Sequence, residues 1–346
     1  MPEAIFSDRA RLGRRFSAGL AAMLQGHEGL GVYILVLANA LQDAGLWAEL
    51  RGPLARRHAL LADRIGAALR AGRKLAEPDD DLMVFLKLMA IGFDALAPVE
   101  HARLPGPDAG RDPVWELQFN PVRALRPARM SDAPVAGIMA PFDARGFHFN
   151  KPFLAKEVLW EGVLEDKPAR LLYNKFPFAP LHGLLVPEPA RERPQCLTPE
   201  LHGWAWAVAE SLAAAVPGFC LAYNSYGAYA SVNHLHFQTF VRDVPLPAQA
   251  APQGPYPLAR QFFDDPQAAW MQLDACHEAG QVYNLIYADD GLLVLPRMRQ
   301  GEAPVPPWSA GFAWSEVAGV FPVASREDYE ALDHAALSQL LARVAA

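Results

Sequence analysis

CLAYNSYGAYASVNHLHFQTFV, residues 220–241, is the stretch on which the reading of this chain turns. Its two ends, FCLAYN and HLHFQTFV, are apolar runs of strand composition, and its middle is small and polar. In a strand successive side chains alternate faces, so the spacing predicts His234, His236 and Gln238 on one face. Leu235, Phe237 and Thr239 then take the other, packed face. Two imidazoles and a carboxamide in a row make a poor core, because each needs a partner or water once buried. Just upstream stand Asn224, Ser225, Gly227, Ser231 and Asn233. Gly227 lets the backbone approach a ligand closely, and Ser231 and Asn233 offer hydrogen bonds to phosphate oxygens. The whole reads as a phosphate-handling loop leading into a strand that bears a nucleophile. The plain alternative is a surface or metal-binding H-x-H pair, but only Asp243 and Cys220 lie near enough in sequence to add ligands. No metal site is expected.

Outward from that stretch, further short apolar runs bounded by Pro, Gly and Asn read as strands: VWELQF, KEVLWEGVL, ARLLYN, GLLVP, VYNLIY and GLLVLP. Two long helices are interposed, about 198–215 and 265–279, the first opening on Thr198 with Pro199 at its first helical position. A last helix is expected from Ser325 to the C-terminus. LLYNKFPFAPLHGLLVP (171–187) and VYNLIYADDGLLVLP (282–296) look like a duplicated hairpin, which implies two similar lobes.

The first hundred residues differ. Apolar positions recur at three-and-four spacing through Leu12, Phe16, Leu20 and Met23, and again through Ile34, Leu37, Leu41 and Leu46. Asp79, Asp80 and Asp81 are N-cap candidates for a helix over Met83, Phe85, Leu86 and Met89. Residues 104–113 turn to Pro, Gly and Asp and read as a linker or surface loop. The expected organisation is a helical region over 1–103, a catalytic lobe over 114–250 and a second lobe over 251–346. The fold class is α+β, built on antiparallel sheet with packed helices.

The motif resembles a known family at this point. NHLHFQ preceded by YNSYGAYASV is similar to the active-site strand of the histidine triad (HIT) superfamily, in its H-x-H-x-Q branch. That branch includes GDP-hexose phosphorylases, diadenosine tetraphosphate phosphorylases and, more distantly, galactose-1-phosphate uridylyltransferases. The resemblance implies a HIT-like fold and a nucleotidyltransferase or phosphorylase acting on a nucleoside diphosphate sugar or dinucleoside polyphosphate. It implies that His236 attacks the α-phosphorus to give a covalent nucleotidyl-histidine, that His234 orients it, and that Gln238 contacts the phosphate. LYNKFPFAPLHGLLVP resembles a strand pair bordering the nucleotide pocket in the diadenosine tetraphosphate phosphorylases, which implies that Asn174 and Lys175 face the nucleotide and His182 the phosphates. Read alone, NKFPF is a strand end with a solvated Lys175. FNPVRALRPAR (119–129) faintly resembles another nucleotide-binding stretch, where Arg123 and Arg126 would grip phosphate. The cysteine pairs that bind zinc in many uridylyltransferases are missing, so no structural zinc is expected. Base-recognition residues cannot be located by sequence.

Bulk properties bound the rest. A chain of 346 residues with 52% hydrophobic and 20% charged residues is an ordinary globular protein, long enough for one large domain or two. A net charge of −7 argues against non-specific nucleic-acid binding and leaves room for a small anion held by local donors. Three widely spaced cysteines give no disulfide framework and fit a reducing compartment. The run 30–40 is too short to span a bilayer, so a cytoplasmic protein with no membrane partner is expected. The expected partners are nucleotide or nucleotide-sugar and phosphate, with a homodimer left open. No cofactor is required, and Mg2+ is an allowed counter-ion of pyrophosphate. Beyond Gln238 only His277 and His334 remain, neither in an H-x-H, so one site per chain is expected. Two other readings stay open: a diadenosine polyphosphate phosphorylase or adenylyltransferase, and a catalytically silent nucleotide-binding protein.

Overall fold

A computed structural model describes residues 4–125, 135, 137–250, 254–309 and 311–346. The N-terminal region is helical: α1 Arg9–Gly26, α2 Leu30–Ala40, α3 Ala44–Arg70 and α4 Asp79–Ile91. The Asp8 and Asp43 carboxylates cap α1 and α3 by accepting the Arg11 and Leu46 N–H groups. Pro78, which offers no side-chain bond, holds the N-cap of α4, and Asp79, Asp80 and Asp81 fall in its first turn, complementing the positive end of the helix dipole. The apolar run at 30–40 is α2 itself, buried along nearly its whole length between the other helices. Full burial of each Leu or Ile there contributes about 1.5–3 kcal/mol. Among the described residues, no helix is long and apolar enough to cross a membrane.

Eleven strands follow among the described residues: β1 Glu100–Leu104, β2 Trp115–Phe119, β3 Val158–Leu164, β4 Lys167–Tyr173, β5 Gly183–Pro187, β6 Phe219–Asn224, β7 Phe237–Val241, β8 Gln261–Phe263, β9 Tyr283–Ala288, β10 Gly291–Pro296 and β11 Val320–Val323. Eight form one sheet in the order β3-β4-β5-β7-β6-β9-β10-β8, every neighbouring pair antiparallel. A small sheet, β1-β2-β11, includes one parallel pair, β2 with β11. The large sheet runs unbroken past residue 250, because β6 pairs with β9.

The strand period sorts the two faces. Leu221, Tyr223, Phe237, Leu285 and Tyr287 pack beneath the helices Pro199–Ala215 and Pro266–Glu278. Cys220, Ala222, Phe240, Ile286 and Leu293 face a second core with Trp314, Phe312 and Phe321. Asn224 lies two residues beyond Ala222, which is paired with Gln238, so both carboxamides belong to this second face.

Four local expectations change. The strand at 234–241 begins only at Phe237; His234 and His236 stand in the lead-in, where the Gln195 side chain takes the backbone bonds of His236. The single helix expected from Ser325 is two, Arg326–Ala331 and His334–Ala342, because Leu332 is extended and Asp333 caps a new start. β1, β8 and β11 escape a reading by apolar alternation: β1 is largely exposed, β8 is short, and β11 contains Pro322 and pairs far away in sequence. The two look-alike hairpins are both antiparallel, but Tyr173 ends β4 whereas Tyr283 begins β9. Their Tyr-Asn pairs are therefore not equivalent positions.

Candidate active site

His236 immediately precedes β7 and is buried. Gln195 fixes its backbone: Oε1 accepts the His236 N–H at 2.9 Å, and Nε2 donates to the His236 carbonyl at 3.2 Å and to the Asn224 carbonyl at 2.9 Å. One carboxamide thus clamps the end of β6 to the approach to β7. The ring Nδ1 of His236 lies 2.8 Å from the His234 carbonyl oxygen, which can only accept, so Nδ1 carries the proton and Nε2 keeps its lone pair. Burial pushes the His236 pKa down to about 4, which leaves the imidazole neutral at pH 7.

His234 sits behind this ring. Its Nδ1 accepts the Phe149 N–H at 3.1 Å, its ring stacks on Phe149 with centroids 5.7 Å apart, and Phe142 meets it edge-on. Burial first, then the positive potential of His236, His148 and Arg170, lowers its pKa to about 3. What His234 gives the site is chiefly its carbonyl.

His236, Gln238, Asn224, Ser231, Asn174 and Lys175 line one cavity of about 130 Å3. Its far wall is apolar, with Phe147, Phe149, Phe153, Leu172 and Leu184. A wider cleft of about 890 Å3 adjoins it, sharing Phe147, Phe153, Glu157, Lys175, Ser231 and Val232. The helical region forms part of the cleft through Gly31, Asp80 and Asp81. Lys175 is half-buried and ion-paired to Asp81 of α4, not a freely solvated surface charge. The Asn174 backbone is tied to the same region, its carbonyl accepting from Asn39 at 2.9 Å.

Behind Gln238 lies His182, fully buried and outside the cavity lining. Its Nδ1 accepts the Phe178 N–H at 3.2 Å and its Nε2 is 2.9 Å from Gln238 Oε1. Desolvation lowers its pKa to about 3. Trp314 Nε1 is also 2.9 Å from Gln238 Oε1.

Three other residues singled out in the loop serve structure. Ser225 Oγ accepts the Tyr283 N–H at 3.0 Å. Gly227 adopts φ +87° and packs against Val282 and Arg299, outside both cavity linings. Asn233 borders the wide cleft, but both ends of its amide are engaged, by the Gln195 N–H and by the Ala140 and Pro141 carbonyls.

Arg123 is buried in the cavity wall, its guanidinium 3.8 Å from the Phe178 ring centroid and bonded to the Phe176 carbonyl. Arg126 lies outside the described residues. Sequence reasoning missed Gln195, Glu157, Trp314 and the phenylalanine wall. None carries a local motif; only their position across the fold marks them.

An eight-stranded antiparallel sheet carries the H-x-H-x-Q segment beside a cavity, and this arrangement is the frame for the comparisons with known proteins. Residues 115–240 match the family model described as GDPGP1-like, N-terminal domain. GDP-D-glucose phosphorylase 1 of Homo sapiens is 36% identical over 147 residues, which are 40% of this chain and 37% of that protein. GDP-L-galactose phosphorylase 1 of Arabidopsis thaliana is 38% identical over 88 residues, 25% of this chain and 20% of that protein. The chain therefore spans well under half the length of the curated relatives it matches. Yeast Ap4A phosphorylase Apa2, in complex with AMP, shares the fold with a TM-score of 0.50 at 19% identity, over 78% of this chain and 97% of that one. Over this part of its length the chain is similar to GDP-hexose phosphorylases.

Proposed function

We propose that this protein is a nucleotidyl-transferring phosphorylase that acts on a GDP-hexose through a covalent guanylyl-histidine on His236. The observation that carries this reading is the tautomer of His236, a neutral imidazole whose Nε2 lone pair is left for the cavity. It stands in the segment similar to the GDP-hexose phosphorylases.

In the first step Nε2 attacks the α-phosphorus. A P–N bond forms, the P–O bond to the hexose 1-phosphate breaks, and that oxygen takes the electron pair. The ring becomes cationic while its proton stays on Nδ1, hydrogen-bonded to the His234 carbonyl, so no proton has to move. In the second step an oxygen of inorganic phosphate attacks the same phosphorus, the P–N bond breaks, and GDP leaves with His236 restored to its neutral form. His234 and His182 are held largely neutral by burial, so neither is suited to protonate a departing group. A leaving group that departs as a phosphate anion, and an acceptor that arrives as one, fit this site. Donors facing the phosphoryl oxygens carry the transition-state charge.

Intact mass spectrometry of the protein mixed with GDP-hexoses, ADP-hexoses, UDP-glucose and diadenosine tetraphosphate tests the reading. A gain of one guanosine monophosphate, discharged to GDP by added phosphate and missing in His236→Ala, is the expected result. A folded protein that forms no adduct and turns over no donor would overturn it in favour of a binding protein.

A further inference from the structure

We infer that Trp314 is a positioning residue that turns the carboxamides of both Asn224 and Gln238 into hydrogen-bond donors toward the phosphoryl group. This rests on the proposed reaction. A carboxamide has two ends of nearly the same shape, and its partners decide which end faces a ligand. An indole N–H and a backbone N–H can only donate. Trp314 supplies both: Nε1 is 2.9 Å from Gln238 Oε1, and its backbone N is 3.0 Å from Asn224 Oδ1.

Independent partners give the same polarity. The His182 Nδ1 already accepts the Phe178 N–H, so the proton sits on Nε2 and donates to Gln238 Oε1. Asn284 Nδ2, whose identity is fixed by its second bond to the Ala228 carbonyl, donates to Asn224 Oδ1 at 2.6 Å. Each carboxamide oxygen therefore takes two donors from inside the protein. The NH2 groups are left for the cavity that both side chains line. A flipped amide would turn an oxygen lone pair toward the phosphoryl oxygens, and repulsion would replace a bond.

Trp314 itself does not depend on these bonds for its place. Its ring is buried and stacked on Phe240, with centroids 4.5 Å apart and planes 13° from parallel. It belongs to the short helix Trp314–Val317, beyond the segment 115–240 that matches the family model. Trp314→Phe keeps the stacking and the backbone bond to Asn224 and deletes only the Nε1–H.

The test is a double-mutant cycle on Trp314→Phe and Gln238→Ala, read as kcat and KM. Losing a phosphoryl donor outright costs on the order of 10²–10³ in rate, and losing one orienting hydrogen bond costs up to about tenfold. KM stays within about twofold, because the bond matters in the transition state. If Trp314 acts through Gln238, the double variant is no slower than Gln238→Ala alone. Losses that multiply, or a Trp314→Phe variant as fast as wild type while Gln238→Ala is slow, overturn the inference. A second measurement needs no turnover and covers a poorly folding variant. The Trp314 indole signal in a proton–nitrogen correlation spectrum shifts on Gln238→Ala, and an unmoved signal overturns the assignment. Failure of the phosphorylase reading looks different: the signal moves, yet wild type forms no adduct.

Discussion

The hairpins β4–β5 and β9–β10 are built from nearly the same letters and do opposite jobs. The first opens into a nine-residue connection, 174–182, that carries Asn174 and Lys175 into the cavity and His182 beneath it. The second closes in two residues, Asp289 and Asp290, which belong to neither of the two cavity linings. Its contribution is Asn284, fully buried, which grips Asn224. The lesson extends to the two halves. Residues up to Gln238 supply nearly all the groups that line the smaller cavity, and residues after it, Asn284 and Trp314 above all, hold two of those groups in place.

That division can be broken by experiment. The largest contrast is between histidines. His236→Ala should abolish both the adduct and turnover. His334→Ala removes a ring stacked on Trp115 and a bond to the Pro113 carbonyl, so it should cost about 1–3 kcal/mol of stability in a denaturant melt with kcat unchanged. A His334 variant that lost activity while still folded would erase the distinction.

Next comes Gln238→Ala, with a fall in kcat on the order of 10²–10³. Asn284→Ala should be milder. It removes one of the two donors to Asn224 Oδ1, costing about 0.5–1.5 kcal/mol of net hydrogen bonding, and should slow kcat only several-fold.

The smallest effect is one of pH. A histidine of ordinary pKa, about 6.5, would lose its nucleophile in mild acid. Burial lowers the His236 pKa to about 4, so adduct formation in a single turnover should stay level through pH 6 and fall only as pH nears that value. Stability has the same sign. His182, His234 and His236 are depressed in the folded state, so below about pH 6.5 the unfolded chain binds more protons and stability drops as pH falls toward 3–4. A melting temperature flat across that window would contradict the burial of these rings.

Much of this was legible in the chain, for a physical reason in each case. Thr198-Pro199 and Asp265-Pro266 mark helix starts because a cap and a proline act on their own turn. Seven of the eight strands of the large sheet, all but the short β8, announced themselves by apolar runs between turn residues. β11 did not, since its parallel pairing with β2 joins residues some two hundred positions apart. Within the loop before His234, composition alone grouped Ser225, Gly227 and Asn233 as a phosphate-handling set, whereas their bonds go to protein partners.

By itself the sequence nominated the candidate set. His236, Gln238 and Asn224 lie within fifteen residues of one another, and side-chain type plus local spacing is enough to nominate them. Only the tertiary structure decided what those groups are. The His234 carbonyl, brought to the ring where Gln195 holds the lead-in, leaves His236 with its proton on Nδ1 and Nε2 unprotonated. Trp314, 90 residues from Asn224 and 76 from Gln238, sets the direction of both carboxamides. Asp81, 94 residues before Lys175, fixes that ammonium at the mouth of the cleft. Tautomers, amide orientations and ion pairs depend on which partner arrives in space, and spacing along the chain carries no record of a partner so far away.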